Sequence, residues 1–321
     1  MITRRALLAA GAVGALQLAG CGGSDPRLGT ARRALVRRSV AIDYASLYAP
    51  IEDVRRLVAA RAAAVGAAVT FSDDAAGVDA QVANLRRWTG EEGGFKAIAI
   101  AAFDPAAVDP VAAAAIRRGV RIVSYVTPLA HRSAAIAVDH ARAGRLLAEH
   151  AARAGRGAVL LVRPAATATP DPFAPGFAPA EAAIRAVLGD RVVAAVAAQG
   201  QADGAEAIGA ALRANPRIRT VLAWNDLTAL AAADALGTAT GYAGGLGSPA
   251  LTGRAGLRAL AADTPLRCLV APRLADLAAA LVDVPLALAR GRPTAGRTVP
   301  LHVLTRSTRA AVRAFAADYT R

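Results

Sequence analysis

The stretch Phe95 to Pro128, FKAIAIAAFDPAAVDPVAAAAIRRGVRIVSYVTP, decides the fold. A continuous apolar run, Lys96 to Ala102, ends at Phe103-Asp104-Pro105, and a helix-forming run then carries through to Arg118, where Gly119 stops it. A second β-branched run, Val120 to Val126, ends at Thr127-Pro128. The reading is strand, helix, strand. Both strands are apolar on successive residues rather than alternately, so both faces must be covered, as in a parallel sheet flanked by helices. Ligands of such sheets sit at the carboxyl ends of the strands, which puts Phe103, Asp104 and Thr127 where a binding site is expected.

Working outward, the same unit repeats on both sides. Upstream, Ser39 to Asp43 and Ala67 to Ser72 read as strands, with helices at Pro50 to Val65 and Asp79 to Trp88. Downstream, a short strand at Ala134 to Val138 precedes a helix capped by Asp139, and strands follow at Gly157 to Val162, Arg191 to Ala197, Ile218 to Ala223, Tyr242 to Leu246 and Leu266 to Ala271, with helices between them. The proline-rich stretch Pro164 to Pro179 is a loop. A helix at Leu274 to Arg290, a strand at Val299 to Leu304 and a helix at Thr308 to Tyr319 close the chain. The fold class is α/β, two doubly wound parallel-sheet lobes, with the break between them at 129–133.

The amino-terminal stretch reads as targeting. Arg4-Arg5 is followed by an apolar run from Ala6 to Ala19, too short for an ordinary membrane span and right for a signal h-region, so residues 1–20 are a signal peptide. Leu18-Ala19-Gly20-Cys21 resembles the lipobox of bacterial lipoproteins, which implies cleavage before Cys21 and a lipid on its thiol. Residues 21–38 then serve as a tether, with the flexible GGSDPRLGT at its start. Thr3 to Leu8 also resembles a twin-arginine export signal.

The chain has 321 residues, 55% of them hydrophobic, and a net charge of +14 that falls by two when Arg4 and Arg5 leave with the leader. A balance this basic raises nucleic acid as a partner, but the arginines are scattered over the polar faces and ends of helices, as at Arg55-Arg56, Arg86-Arg87 and Arg117-Arg118. Only 4% of residues are aromatic, so stacking platforms for bases are scarce, and solvated helix faces near anionic lipid explain the charge better. With Cys21 lipidated, Cys268 has no partner for an internal disulfide and reads as a small buried hydrophobe. The four histidines show no metal-ligand spacing. No serine elbow, metal cluster or phosphate loop is found, and the glycines of Gly241 to Pro249 follow a weak strand without the acidic residue of a dinucleotide site. No enzymatic activity and no cofactor are expected.

The stretches VANLRRW, KAIAIAAFDPAAVDPVAAAAIRRGVRIVSY, AVDHARAGRLLAEHAA and NPRIRTVLAWNDLTALAAADAL, in this order and behind a lipobox, resemble the periplasmic sugar-binding proteins of the ribose and galactose type, the receptor subunits of ABC importers. The resemblance spans nearly all of the mature chain. It implies a type I periplasmic binding protein: lobes that exchange strands through three crossings, here at 129–133, 271–273 and 296–298. The amino-terminal lobe is then 39–129 plus 272–297, and the carboxy-terminal lobe 130–271 plus 298–321. Asn225 matches a polar contact of the family, and Asp226 beside it reads as ligand contact or helix cap. Elsewhere the pattern fails. Val126-Thr127 stands where an Asp-Arg pair clamps sugar hydroxyls, Leu246-Gly247 replaces an aromatic-Asp pair, and Pro272 falls where a glutamine is common.

The candidate ligand contacts are therefore the residues at strand carboxyl ends: Asp43, Tyr44, Phe103, Asp104, Thr127, Arg163, Trp224 and Asn225. The resemblance implies a monomeric, exported, lipid-anchored receptor that captures a sugar or sugar-like molecule between closing lobes and hands it to an ABC permease. A ligand-sensing lipoprotein that presents itself to a membrane receptor or kinase is the alternative.

Overall fold

The structure is a computed structural model that describes residues 39–43, 51–72, 77–90, 94–166, 174–237, 241–246 and 254–319. The leader, Cys21, the tether and Tyr44 lie outside the described residues.

The chain runs β1 (Ser39–Asp43), α1 (Ile51–Ala64), β2 (Ala68–Phe71), α2 (Val78–Thr89), β3 (Ala97–Ile100), α3 (Pro105–Arg117), β4 (Arg121–Tyr125) and β5 (Ala134–Ala137). It continues through α4 (His140–Ala154), β6 (Ala158–Arg163), α5 (Phe177–Leu188), β7 (Val192–Ala197), α6 (Gln201–Ala214), β8 (Ile218–Ala223), α7 (Asp226–Leu236), β9 (Tyr242–Leu246), α8 (Arg254–Ala261) and β10 (Leu266–Pro272). Last come α9 (Leu274–Ala289), β11 (Gly296–Thr298), β12 (Leu301–Leu304) and α10 (Arg309–Ala316).

These strands form two six-stranded sheets, ordered β11-β5-β4-β3-β1-β2 and β12-β10-β9-β8-β6-β7. The unbroken apolar strands of the sequence are buried on both faces. In the first sheet Val40, Ile42, Ala99 and Val123 join the core that includes Val54 and Val58 of α1, whereas Ala41, Ile98, Ile100 and Ile122 pack with Leu85, Trp88, Val108 and Val111 of α2 and α3. Helix α9 returns to this lobe and packs on α1, β1, β3 and β4. In the second lobe α4 and α5 approach so closely that a Cβ on Gly144 would lie 2.2 Å from the carbonyl oxygen of Ala180, so only glycine fits there. Cys268 is buried, and burial pushes its thiol up to about 12.

Two boundaries differ from the sequence reading. The first crossing lies after Ala137, not at 129–133, because β5 pairs in parallel with β4, with Val123 opposite Ala134. The 129–133 segment is pinned to the first sheet: Ser133 N donates to the Ile122 carbonyl at 2.7 Å, and Ile122 N donates to Ser133 Oγ at 3.2 Å. The expected strand Val299 to Leu304 starts later, as β12 at Leu301, and a strand not expected, β11 (Gly296–Thr298), precedes it in the other sheet. β11 adds in parallel to β5 and β12 adds antiparallel to β10. Pro300 sits between them and cannot donate to a ladder. The three crossings therefore fall between β5 and α4, between β10 and α9, and between β11 and β12.

Candidate functional site

The carboxyl ends of β1, β3 and β4 lie side by side in the first sheet, and a buried amide ties them together. Gln81, in the first turn of α2, donates Nε2 to Asp43 Oδ1 at 2.7 Å and to the Ala101 carbonyl at 2.9 Å, and its Oε1 accepts from Phe103 N at 2.9 Å. Tyr125 at the end of β4 donates its hydroxyl to the Asp43 carbonyl at 2.8 Å. Asp43 and Gln81 are both fully buried. Gln81 thus joins the strand ends, and the strand-end rule misses it because it comes from a helix start. The Phe103 ring is buried in the core, and Asp104 caps α3 by accepting from Ala106 N at 2.8 Å. After β4 the backbone turns sharply. Val126 adopts φ 61°, and Thr127 N donates to the Tyr125 carbonyl at 2.6 Å across it. A β-branched residue in the left-handed region is strained, and such strain concentrates at ligand sites.

In the second sheet β6 and β8 are neighbours and present Arg163, Trp224 and Asn225. Asn225, not Asp226, is the cap of α7: its Oδ1 accepts from Thr228 N at 2.8 Å and from Thr228 Oγ1 at 2.7 Å, while Nδ2 donates to the Gln199 carbonyl at 3.3 Å. One amide N–H of Asn225 remains beyond these bonds. Asp226 is the first helical residue and is buried. Trp224 gives its indole N–H to the Ala198 carbonyl at 2.8 Å, and its ring joins the core. Arg163 is held to Glu181 by Nε at 2.8 Å and by a second bond from Nη2, so its guanidinium serves the α5 face. Burial opposes the charge on Glu181, but the bonds from Arg163 and Arg185 win and hold its carboxyl below the usual range.

The two sets of strand ends meet near the crossings. Arg273, between β10 and α9, donates Nε and Nη2 to Asp318 at 3.0 and 2.8 Å, and Ala275 N donates to the same carboxylate at 3.1 Å. Arg56 of α1 donates Nη2 to the Asp318 carbonyl at 2.5 Å and to Asp53 Oδ1 at 3.2 Å. Tyr319 is buried here. Burial first, then the carboxylates of Asp226, Asp318 and Asp53, push its phenol well above the ordinary tyrosine range. Asp226 belongs to the second sheet's ends and Asp53 to the first's, so Tyr319 marks where the two lobes come together. Carboxylates, guanidinium groups and a phenol from four chain segments gather at this seam. Among the described residues no group of histidine, cysteine and carboxylate side chains could hold a metal ion.

The periplasmic binding protein domain family matches residues 46–293. The chain belongs to that family. No curated protein sequence matches the chain significantly. Among solved structures, this periplasmic binding protein is similar to an ABC transporter solute-binding protein from Bacillus halodurans with bound myo-inositol. Identity is 18%, coverage is 88% of this chain and 98% of that one, and the TM-score is 0.73. It is also similar to a periplasmic ribose ABC transporter protein from Conexibacter woesei, at 17% identity, 87% and 95% coverage and a TM-score of 0.72. A solute-binding protein from Burkholderia graminis in complex with D-arabinose matches at 18% identity, 85% and 96% coverage and a TM-score of 0.71. At these identities the likeness establishes the fold, two parallel-sheet lobes joined by three crossings.

Proposed function

We propose that this periplasmic binding protein captures a small polyhydroxylated solute, a sugar or a cyclic polyol, between its two lobes and delivers it to an ABC importer. The observation that carries the reading is the seam itself, where Asp53 from one lobe and Asp226 from the other both act on Tyr319, with Arg56 and Arg273 held to Asp318 beside it. Carboxylates and guanidinium groups make charge-assisted, often bidentate bonds to vicinal hydroxyls, the chemistry a polyol requires. The carboxylate and arginine missing at Val126-Thr127 thus have counterparts at Asp53, Asp226, Arg56 and Arg273. The arabinose and myo-inositol held by structural relatives support the same class. Trp224 and Phe103 act as walls of the site, and Asp43, Tyr44, Thr127 and Asn225 as its polar rim. Asp104 and Arg163 contribute structure, through the α3 cap and the Glu181 pair.

The protein works as a monomeric, non-catalytic receptor held outside the cytoplasm by a lipid on Cys21. A ligand biases lobe closure only through contacts it makes better in the closed state, and residues from both lobes supply such contacts. The direct test is a thermal-shift and calorimetric screen of pentoses, hexoses and inositols, followed by small-angle scattering on any hit. Saturable binding without turnover and a smaller radius on saturation are expected. Affinity only for amino acids or other non-hydroxylated solutes overturns the ligand class, and an unchanged radius overturns closure. Replacing Cys21 by Ser should leave an unprocessed precursor without lipid label.

A further inference from the structure

The strongest feature outside the seam lies at the opposite end of the second sheet. A cavity of about 550 Å³ opens at the amino ends of β9 and β10, the far side from the strand ends that form the seam. Arg156, from the α4–β6 connection, Arg267 of β10 and Arg306, after β12, all line it, and among the described residues no carboxylate does. Among the described residues, the carboxylate within ion-pair reach of them is the exposed Asp263, shared between Arg306 at 3.2 Å and Arg267 at 3.5 Å. Three positive charges therefore border a concavity that one solvated negative charge offsets only in part. The volume is in the range of small-ligand pockets.

The neutral lining has the matching polarity. His150 of α4 and Tyr242 of β9 face the cavity, and His150 Nδ1 lies 2.7 Å from the Tyr242 hydroxyl. The buried Cys268 thiol stays protonated. An imidazole that accepts from the phenol through Nδ1 carries its proton on Nε2, so the His150–Tyr242 pair can turn a ring N–H to a ligand. Ser307 completes the rim with a hydroxyl. Guanidinium groups, a ring N–H and hydroxyls without an opposing carboxylate are the donor set of an oxyanion site.

The geometry points to this cavity as a second binding site, specific for a phosphate group and independent of the solute seam. The group is carried either by a soluble phosphate compound or by an anionic lipid headgroup, and the chemistry of recognition is the same in both.

The test uses the mature chain and two probes, inorganic phosphate and vesicles of phosphatidylglycerol with phosphatidylcholine vesicles as control. The variant R267Q/R306Q removes two site charges, and R86Q/R87Q removes two exposed charges from α2 in the other lobe. The pair separates a built site from the general attraction of a chain of net charge +14. The expected result is saturable binding of at least one probe, weakened tenfold or more in R267Q/R306Q and unchanged in R86Q/R87Q, with a shift of the His150 ring signals on titration. Binding of phosphate alone assigns a soluble ligand, and binding of the phosphatidylglycerol vesicles alone assigns a headgroup. Equal weakening in the two variants, or no saturable binding of either probe, overturns the site. The variant S307D, which puts a carboxylate on the rim, should reproduce the loss with an unchanged melting temperature; full binding in S307D also overturns it.

Discussion

The Asp318 carboxylate receives both Nε and Nη2 of Arg273, at 3.0 and 2.8 Å, and so ties the segment after α10 to the second crossing between the lobes. The same carboxylate accepts from Ala275 N at the start of α9, while the Asp318 carbonyl holds Arg56 of the first lobe. One residue near the end of the chain thereby fastens the crossing and both lobes. Asp318→Ala removes three bonds to a buried carboxylate and leaves Arg273 without its clamp. The expected loss is about 2–3 kcal/mol in chemical denaturation, since bonds to charged groups are the stronger kind. A stability within 0.5 kcal/mol of the parent, roughly the spread of neutral surface changes, contradicts the account.

Gly296 gives a sharper steric prediction. It opens β11 at φ 122°, and a Cβ there would stand 1.9 Å from the Ala135 carbonyl oxygen of β5. Gly296→Ala must break the β5–β11 pairing, because backbone cannot yield as a flexible side chain can. A cost of roughly 3 kcal/mol or more is expected by thermal melting, with amide exchange accelerated in Ala134–Ala137.

Much of this architecture can be read directly from residues. Ile218 to Ala223 and Tyr242 to Leu246 have the bounds that their apolar runs predict, and Asp139 caps α4 as its position suggests, accepting from Arg142 N at 2.8 Å. Those signals are local, so a linear reading finds them. The first crossing is not local. Ala134 to Ala137 is equally apolar whichever sheet it joins, and only its pairing with β4 assigns it to the first. The seam is harder still, because Arg56, Asp226, Arg273 and Asp318 are far apart in the chain and each, taken singly, resembles a helix-end charge. Gln81 could have been found by asking which polar residue falls on the apolar stripe of its helix, with Leu85 and Trp88.

Gln81→Leu tests the floor of the site. The substitution keeps the bulk but removes the donor to Asp43 and the acceptor for Phe103 N, both buried. A loss of about 2–4 kcal/mol is expected from the stranded polar groups, measured by urea unfolding. Gln81→Glu keeps the shape and sets a second carboxyl beside Asp43. Its stability should fall further as pH rises, because like charges at that distance cannot both ionise at low cost.

Acid should destabilise the fold through His140. Burial, which outweighs the nearby Asp139, holds its pKa below the ordinary 6.5, and its ring packs against the backbone at Gly176. The unfolded chain therefore binds the proton more readily than the folded one. Stability is full above about pH 6.5, falls as pH drops below that value through the lowered folded pKa, and then levels off. The half-buried His150 shifts in the same direction and adds to the slope. Melting temperatures measured across this window should decline less steeply for His140→Gln than for the parent. Identical slopes would exclude His140 as a contributor.

Asn225 separates stability from binding. Its Oδ1 caps α7 through Thr228, so Asn225→Ala should cost about 1 kcal/mol of stability besides any effect on a ligand. Asn225→Asp keeps the capping oxygen but loses both amide hydrogens, including the one not used within the protein, and places a carboxylate beside Asp226. For a solute identified by screening, the Asp variant should therefore melt closer to the parent than the Ala variant does, yet bind at least ten times more weakly. That ratio corresponds to about 1.4 kcal/mol, within the range expected for one buried bond left unmade. Equal affinity of parent and Asp variant would take Asn225 out of the site and leave it as a helix cap.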